Sequence, residues 1–152
     1  MRTYPTDSPQ AAARVVCLAL VADGQLQRHE TAALRELRVA ERLGLSWNDF
    51  HDVLAGFCDD LMALAPHDGE DCRLTPRLIR RVLADVADPP LRLQVLETCW
   101  ELMQADEVLH DGETIVLRAF GECWDIGPWA LPRALQPLER SATDFARRLR
   151  YR

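Results

Sequence analysis

A nine-residue acidic motif occurs twice in this chain, and its repetition constrains the fold more than any other feature. The first copy, residues 22–30, reads Ala-Asp-Gly-Gln-Leu-Gln-Arg-His-Glu, and the second, residues 105–113, reads Ala-Asp-Glu-Val-Leu-His-Asp-Gly-Glu. Matched positions differ by 83 residues, as 106 − 23 and 113 − 30 show, and Gly44 and Gly127 end the two units at the same offset. Each copy lies between two helical patterns of apolar residues. We therefore expect an internal duplication, in which two helix-turn-helix units are related by a pseudo-two-fold axis.

Capping residues and apolar spacing predict helices along the whole chain. Helix starts are predicted at Ser8-Pro9, Ser46 with Asp49, Thr75-Pro76, Asp88-Pro89, and Ser141 with Asp144. Gly44 is placed as the residue that ends one continuous helix with apolar positions at Leu34, Leu37, Ala40 and Leu43. The next helix has its apolar stripe at Trp47, Phe50, Leu54, Phe57, Leu61 and Leu64. No stretch alternates apolar and polar residues long enough to predict a strand. The expected fold is all-α, a compact bundle of about seven or eight helices.

Length and composition indicate one domain rather than several. The 152 residues suffice for a single core, which we place at about residues 8–127, with a C-terminal extension over 128–152. No apolar run is long enough to cross a bilayer, and the N-terminal residues lack the apolar stretch of a signal peptide. We therefore expect a cytoplasmic protein that is not integral to a membrane. The five cysteines form no C-x-x-C pair and are predicted to be mostly buried thiols.

The charge distribution narrows the classes of partner. The net charge of −6 argues against nucleic acid as a partner. All eighteen basic residues are arginine, which is typical of a GC-rich bacterial genome. Residues 140–152 hold five arginines and one aspartate, a net +4 that leaves −10 for the remainder. This basic tail can contact an acidic protein partner, associate peripherally with an anionic membrane, or lie against its own domain.

The two acidic turns are the candidate functional site. Asp23 and Glu30 lie seven residues apart, as do Asp106 and Glu113. Each glutamate is expected in the first turn of a helix, and each aspartate just after the preceding helix, so that the loop brings the pair together. Two hard carboxylates in this arrangement suit a divalent cation. The alternative is local: a glutamate near a helix start can complete a capping box, and a turn aspartate can bond its own backbone.

The second turn offers additional oxygen and nitrogen ligands. Glu107, His110 and Asp111 lie between Asp106 and Glu113, so this turn is the richer candidate for a metal of unknown identity. The loop at residues 67–72 also gathers histidine, acidic and cysteine side chains, but it lacks a second, spaced ligand pair and is predicted to be an acidic connector. Motifs of hydrolases, P-loop proteins, zinc proteases, di-iron bundles and EF-hands are absent from the sequence.

An Ala-Asp-Gly turn followed by a helix-opening glutamate, repeated once in an all-helical chain, resembles the TerB-like tellurite-resistance family. The resemblance rests on Ala22-Asp23-Gly24 with Glu30 and on Ala105-Asp106 with Glu113. It implies a bundle of about seven helices with internal pseudo-symmetry, a link to tellurite and other stress responses, and metal binding through the acidic turns, and it implies no established catalytic activity. Domains of this type also occur fused to other modules, including a membrane-anchored DnaJ-type chaperone.

The second copy departs from the family pattern at one position. Glu107 stands where the first copy has glycine, a residue that adopts positive φ at little cost, so the two turns are expected to differ. The motif also leaves residues 128–152 unexplained. We expect a non-enzymatic protein that binds a divalent cation or a protein partner through its acidic turns. The alternatives are a metal-dependent hydrolase that uses the same carboxylates and a purely structural interaction module.

Overall fold

Seven helices and no strand are found in the part of the chain that the computed structural model describes. That part comprises residues 1–22, 28–64, 74–104 and 111–126, without the side chains of 28–30 and 111–114. The helices are α1 (Pro9–Leu20), α2 (Arg28–Glu36), α3 (Val39–Arg42), α4 (Trp47–Leu64), α5 (Pro76–Ala84), α6 (Pro89–Gln104) and α7 (Asp111–Cys123). The prediction of an all-α chain is confirmed over these residues. The helix predicted to start at Ser141 lies outside them.

Helix α1 lies at the centre of the bundle. Every residue from 11 to 20 is buried, and the helix contacts α4, α5, α6 and α7. A helix that is apolar on all sides must be surrounded by other elements, and this one contains only Arg14 as a charged residue. The bundle is therefore organised around the helix that leads into the first acidic turn.

The predicted helix starts at Ser8, Ser46, Thr75 and Asp88 are confirmed. The Ser8 hydroxyl accepts a hydrogen bond from Ala11 N–H at 3.1 Å, and the Thr75 hydroxyl accepts one from Leu78 N–H at 3.2 Å. Asp88 accepts from Leu91 N–H at 3.2 Å. At α4 the Ser46 hydroxyl accepts from Asp49 N–H at 3.1 Å and donates to the Asp49 carboxylate at 2.7 Å. These bonds satisfy amides that have no partner within their own helix.

The helix predicted to run continuously to Gly44 is instead broken in two, and the prediction was wrong at this point. Arg38 adopts the left-handed conformation (φ 51°, ψ 44°) between α2 and α3. Val39 and Ala40, directly after the break, are buried. The end at Gly44 is confirmed, since Gly44 has φ +79° and Leu45 N–H donates to Ala40 C=O at 2.9 Å. This bond closes the helix end in the Schellman arrangement.

One position predicted on an apolar stripe is exposed. Leu64, at the end of α4, is 60% exposed. A stripe drawn at helical spacing assumes that the partner surface continues along the whole helix, and at this position it does not. Within the described residues no helix combines the length and the apolar character needed to cross a membrane.

Helices α5, α6 and α7 are held together around the α5–α6 corner, residues 84–89, and α5 packs on α7. Trp124, directly after α7, donates from its indole to Leu83 C=O at 3.1 Å. The Arg92 guanidinium lies 5.7 Å from the centre of the Trp124 ring and donates from Nε to Val86 C=O at 2.8 Å. On its outer side the corner is held by Asp7, whose carboxylate accepts from the N–H of Ala87 and Asp88. Residues distant in sequence thus hold α5, α6 and α7 together.

Candidate functional site

The two motif glutamates occupy equivalent places in their helices. Glu30 is the third residue of α2 and Glu113 the third residue of α7, so the prediction that both lie in a first helical turn is confirmed. The two helices begin 83 residues apart, since 111 − 28 equals the offset of the repeated motif. The helices that precede the turns differ in length, with 12 residues in α1 and 16 in α6. Superposition of the two units remains a prediction.

The other predicted ligands fall outside the described residues. Asp23, Asp106, Glu107 and His110 lie in segments without described structure. For Glu30, Asp111 and Glu113 the structure gives the helical backbone and not the side chain. Convergence of each Asp–Glu pair stays a prediction, and so does the alternative that the glutamates only cap their helices.

The helices on either side of the two turns share one core. Helix α1, before the first turn, contacts both α6 and α7, the helices before and after the second turn. Helix α2, after the first turn, also contacts α6. Both turns therefore connect helices whose relative positions are fixed by packing. Such a framework can hold oxygen ligands in a preorganised arrangement.

An ion pair that the sequence did not predict joins α3 to α6, one helical turn before the second motif in sequence. Arg42, the last residue of α3, donates to both carboxylate oxygens of Glu101, with Nη1 to Oε2 at 2.7 Å and Nη2 to Oε1 at 3.3 Å. The Gln94 side-chain amide donates to Arg42 C=O. Glu101 lies four residues before the start of the second motif at Ala105. Its carboxylate is held by the guanidinium, so we do not count it among the candidate metal ligands.

The burial of Arg14 was not predicted from the sequence. Arg14 lies within an otherwise apolar helix, and no acidic residue near it in sequence indicates an ion pair. Its side chain is 2% exposed and forms an ion pair with Asp85 at the end of α5. The guanidinium also donates to Arg2 C=O and lies 4.9 Å from the centre of the Tyr4 ring. Burial raises the pKa of the Tyr4 phenol, against the opposing effect of Arg14 and Arg2. This cluster holds the N-terminal segment on the bundle.

The two fully buried thiols are not candidates for a reactive site. Cys17 and Cys99 are fully buried, and burial raises the pKa of both well above the ordinary thiol value. They remain protonated at neutral pH, whereas metal binding and nucleophilic attack require the thiolate. Cys58 and Cys123 are half-buried and form no disulfide within the described residues, and Cys72 lies outside them. The prediction of buried thiols is confirmed for Cys17 and Cys99.

Among the residues that the structure describes, no group of three or more His, Cys, Asp or Glu side chains is placed to hold a metal ion. None of the acidic-turn side chains is included in that statement. The predicted ligand set is chemically suited to Ca²⁺, Mg²⁺ or Mn²⁺, because it consists mainly of carboxylate oxygens, the ligands that hard cations prefer.

Comparison with known proteins identifies the family. The family model described as "Tellurite resistance protein TerB" matches residues 10–136, a range that includes both acidic turns and nearly all of the helical bundle. The chain belongs to the TerB family. The resemblance based on the duplicated acidic turns is thereby confirmed, and the all-α architecture agrees with membership in the TerB family. No curated protein and no solved structure matches the chain.

Proposed function

We propose that this TerB-family protein takes part in the bacterial response to tellurite and related stress as a non-enzymatic, cytoplasmic binder of a divalent cation. The observation that carries the proposal is the equivalent placement of Glu30 and Glu113, each the third residue of its helix and each preceded by an aspartate seven positions earlier. A purely local capping role requires no aspartate at that spacing. A set of metal ligands would explain why the whole Asp–Glu pair is repeated.

The chemistry of the residues fits a hard cation. Each turn supplies two carboxylates, and the second supplies four within eight residues, at Asp106, Glu107, Asp111 and Glu113. A glutamate in the first turn of an exiting helix is also the position from which the EF-hand loop supplies its bidentate ligand. The turns here are shorter than an EF-hand loop, so the comparison concerns the placement of the ligand and not the fold. When bound, the cation would neutralise the carboxylates and join the two ends of the turn.

The packing of the flanking helices supports this proposal. Because α1 contacts α6 and α7, and α2 contacts α6, binding at either turn would join helices that the bundle core already holds in place. A cation bound only by the folded state stabilises it by about 2.7 kcal/mol when its concentration is 100 times Kd. For a protein of this size that corresponds to a rise in Tm of roughly 5–11 °C.

Thermal melts of purified protein with Ca²⁺, Mg²⁺, Mn²⁺ or Zn²⁺ test the proposal. Glu30→Gln and Glu113→Gln keep the side-chain shape and remove the charge, so each should abolish or weaken the metal-induced rise in Tm and change metal-free stability by only about 0.5–1 kcal/mol. The matched controls are Glu36→Gln in α2 and Glu122→Gln in α7, which change exposed glutamates of the same helices. Both controls should keep the full response.

Two results would contradict the cation proposal. The first is a wild-type Tm that no ion shifts at millimolar concentration, which would favour a protein partner at the acidic turns instead. The second is an equal loss of response in all four variants, which would indicate general screening of negative charge. Hydrolysis of a phosphate or peptide substrate in the presence of a bound metal would favour an enzyme.

A further inference from the structure

A groove of about 360 Å³ is formed by the end of α2, by α3 and by the first residue of α4. We call it the α2–α3 groove. Its base consists of the buried residues Leu34, Val39 and Ala40, and the half-buried Trp47 ring forms one wall. Two exposed arginines, Arg35 and Arg38, stand at its rim. The groove contains none of the residues of the acidic turns, so an occupant here would be independent of the cation proposed above.

The concave shape of the groove depends on the break at Arg38. A continuous helix would present a convex surface, whereas the left-handed residue turns α3 away from α2. An arginine in this conformation costs on the order of 1 kcal/mol or more relative to glycine, which adopts it freely. The chain thus carries a guanidinium at a position where glycine would be more stable. Strained positions of this kind cluster at binding sites.

The second rim arginine is held in place by an aromatic ring. The Arg35 guanidinium lies 5.0 Å from the centre of the Trp47 ring, and His51 meets the same ring edge-on at 4.5 Å between ring centres. Stacking orients the guanidinium while its N–H groups remain available to an acceptor. Within the described residues Arg35 makes no ion pair. Arginine and tryptophan are among the residue types most enriched at the energetic centres of protein interfaces.

The charge at the rim sets the chemistry of the occupant. The lining includes one acid, Glu41, whose carboxylate lies 3.7 Å from Nε of Arg38 with both side chains largely exposed. A surface pair of this kind contributes about 0–1 kcal/mol, so an incoming carboxylate can replace Glu41. Arg35 and Arg38 against Glu41 leave one net positive charge at the rim, whereas the net charge of the whole protein is −6. An acidic ligand is therefore directed to this rim rather than to most of the surface.

We propose that the α2–α3 groove binds a short peptide segment of a partner protein that carries carboxylates next to an apolar side chain. The apolar side chain packs on the half-buried Trp47 ring. The carboxylates accept hydrogen bonds from Arg35 and Arg38, in the paired geometry that guanidinium groups favour. The contact with the Trp47 ring distinguishes this ligand from a free anion.

Selection from a displayed library of random peptides tests the proposal with the full-length protein. Peptides recovered on the wild type should be enriched in Asp and Glu flanking one Leu, Phe or Trp. Synthetic versions of the recovered peptides should bind at least about tenfold more weakly to Arg35→Ala and to Arg38→Gly by fluorescence anisotropy. Because Arg38→Gly relieves the left-handed strain, its Tm should equal or exceed that of the wild type, which separates lost binding from lost folding.

Arg80→Ala serves as the matched control, because it removes one exposed arginine from α5, outside the groove. Its affinity for the peptides should stay within about twofold of the wild type. Recovery of no peptides, recovery of peptides without acidic enrichment, or equal binding to wild type and Arg38→Gly would overturn the proposal. The proposal would also be overturned if a single-stranded oligonucleotide competed with the peptides and bound more weakly to the same two variants. That result would show that the groove binds nucleic acid.

Discussion

The ion pair between Arg14 and Asp85 should respond very differently to removal of its two members. Arg14 is 2% exposed, and its Nε has no hydrogen-bond partner among the described residues, so the guanidinium depends strongly on Asp85 for compensation. Asp85 is 30% exposed and reaches water. Removing the carboxylate leaves a buried positive charge, whereas removing the guanidinium leaves a carboxylate that solvent can stabilise.

The expected free energies of unfolding follow from this asymmetry. Breaking a fully buried pair by removing one partner costs about 3–5 kcal/mol, and the partial exposure of Asp85 reduces that to roughly 2–4 kcal/mol for Asp85→Ala. Arg14→Met keeps the apolar stem and lacks the charge, so its cost should be about 0–1.5 kcal/mol. The corresponding falls in Tm are about 4–16 °C and at most about 6 °C.

Urea denaturation and scanning calorimetry of the two single variants and the double variant measure these differences. The double variant should resemble Arg14→Met, because Asp85→Ala does little harm once the buried charge is gone. If Arg14→Met destabilises the protein more than Asp85→Ala, or if the two costs add in the double variant, the reasoning from burial is wrong. That result would mean that the Arg14 contacts with Arg2 and Tyr4 matter more than the ion pair.

Three further predictions concern other parts of the bundle. Burial raises the pKa of Cys17 and Cys99 above the value in the unfolded chain. The protonated thiols therefore contribute their full stability below about pH 8.5. As the pH rises further, the free energy of unfolding should fall by up to about 2.7 kcal/mol per pH unit for the two thiols together. Urea melts between pH 8 and 10 should therefore show a steeper decline for the wild type than for Cys17→Ala/Cys99→Ala, and equal slopes would refute the assignment. In Gly56→Ala the new Cβ lies 3.0 Å from Nη1 of Arg2, so the flexible Arg2 side chain must move; the helix-propensity gain of about 1 kcal/mol should keep Tm within about 2 °C in a thermal melt, and a large fall in Tm would contradict this. Gly44→Ala, at φ +79°, should cost roughly 1 kcal/mol and lower Tm by about 2–4 °C, and an unchanged melt would show that the turn relaxes.

The candidate site was only partly determined by sequence. The repeated motif placed Glu30 and Glu113 in first helical turns, and the helix bounds agree. Their position follows from local spacing, which the sequence contains. Whether the carboxylates of each turn converge depends on the angle at which two helices meet. That angle is set by packing far from the turn.

Helix starts were decided by sequence alone, since each depends on a few neighbouring residues. Ser8, Thr75 and Asp88 cap their helices because a short side chain with an oxygen acceptor reaches free amides two or three residues ahead, whatever the remainder of the protein does. Tertiary structure alone decided the break at Arg38 and the burial of Arg14. No glycine or proline marks Arg38, and nothing near Arg14 in sequence compensates its charge. Val39 and Ala40 are buried directly after the break, and Asp85 supplies the missing charge from 71 residues away. Both outcomes depend on contacts that exist only after distant segments have packed.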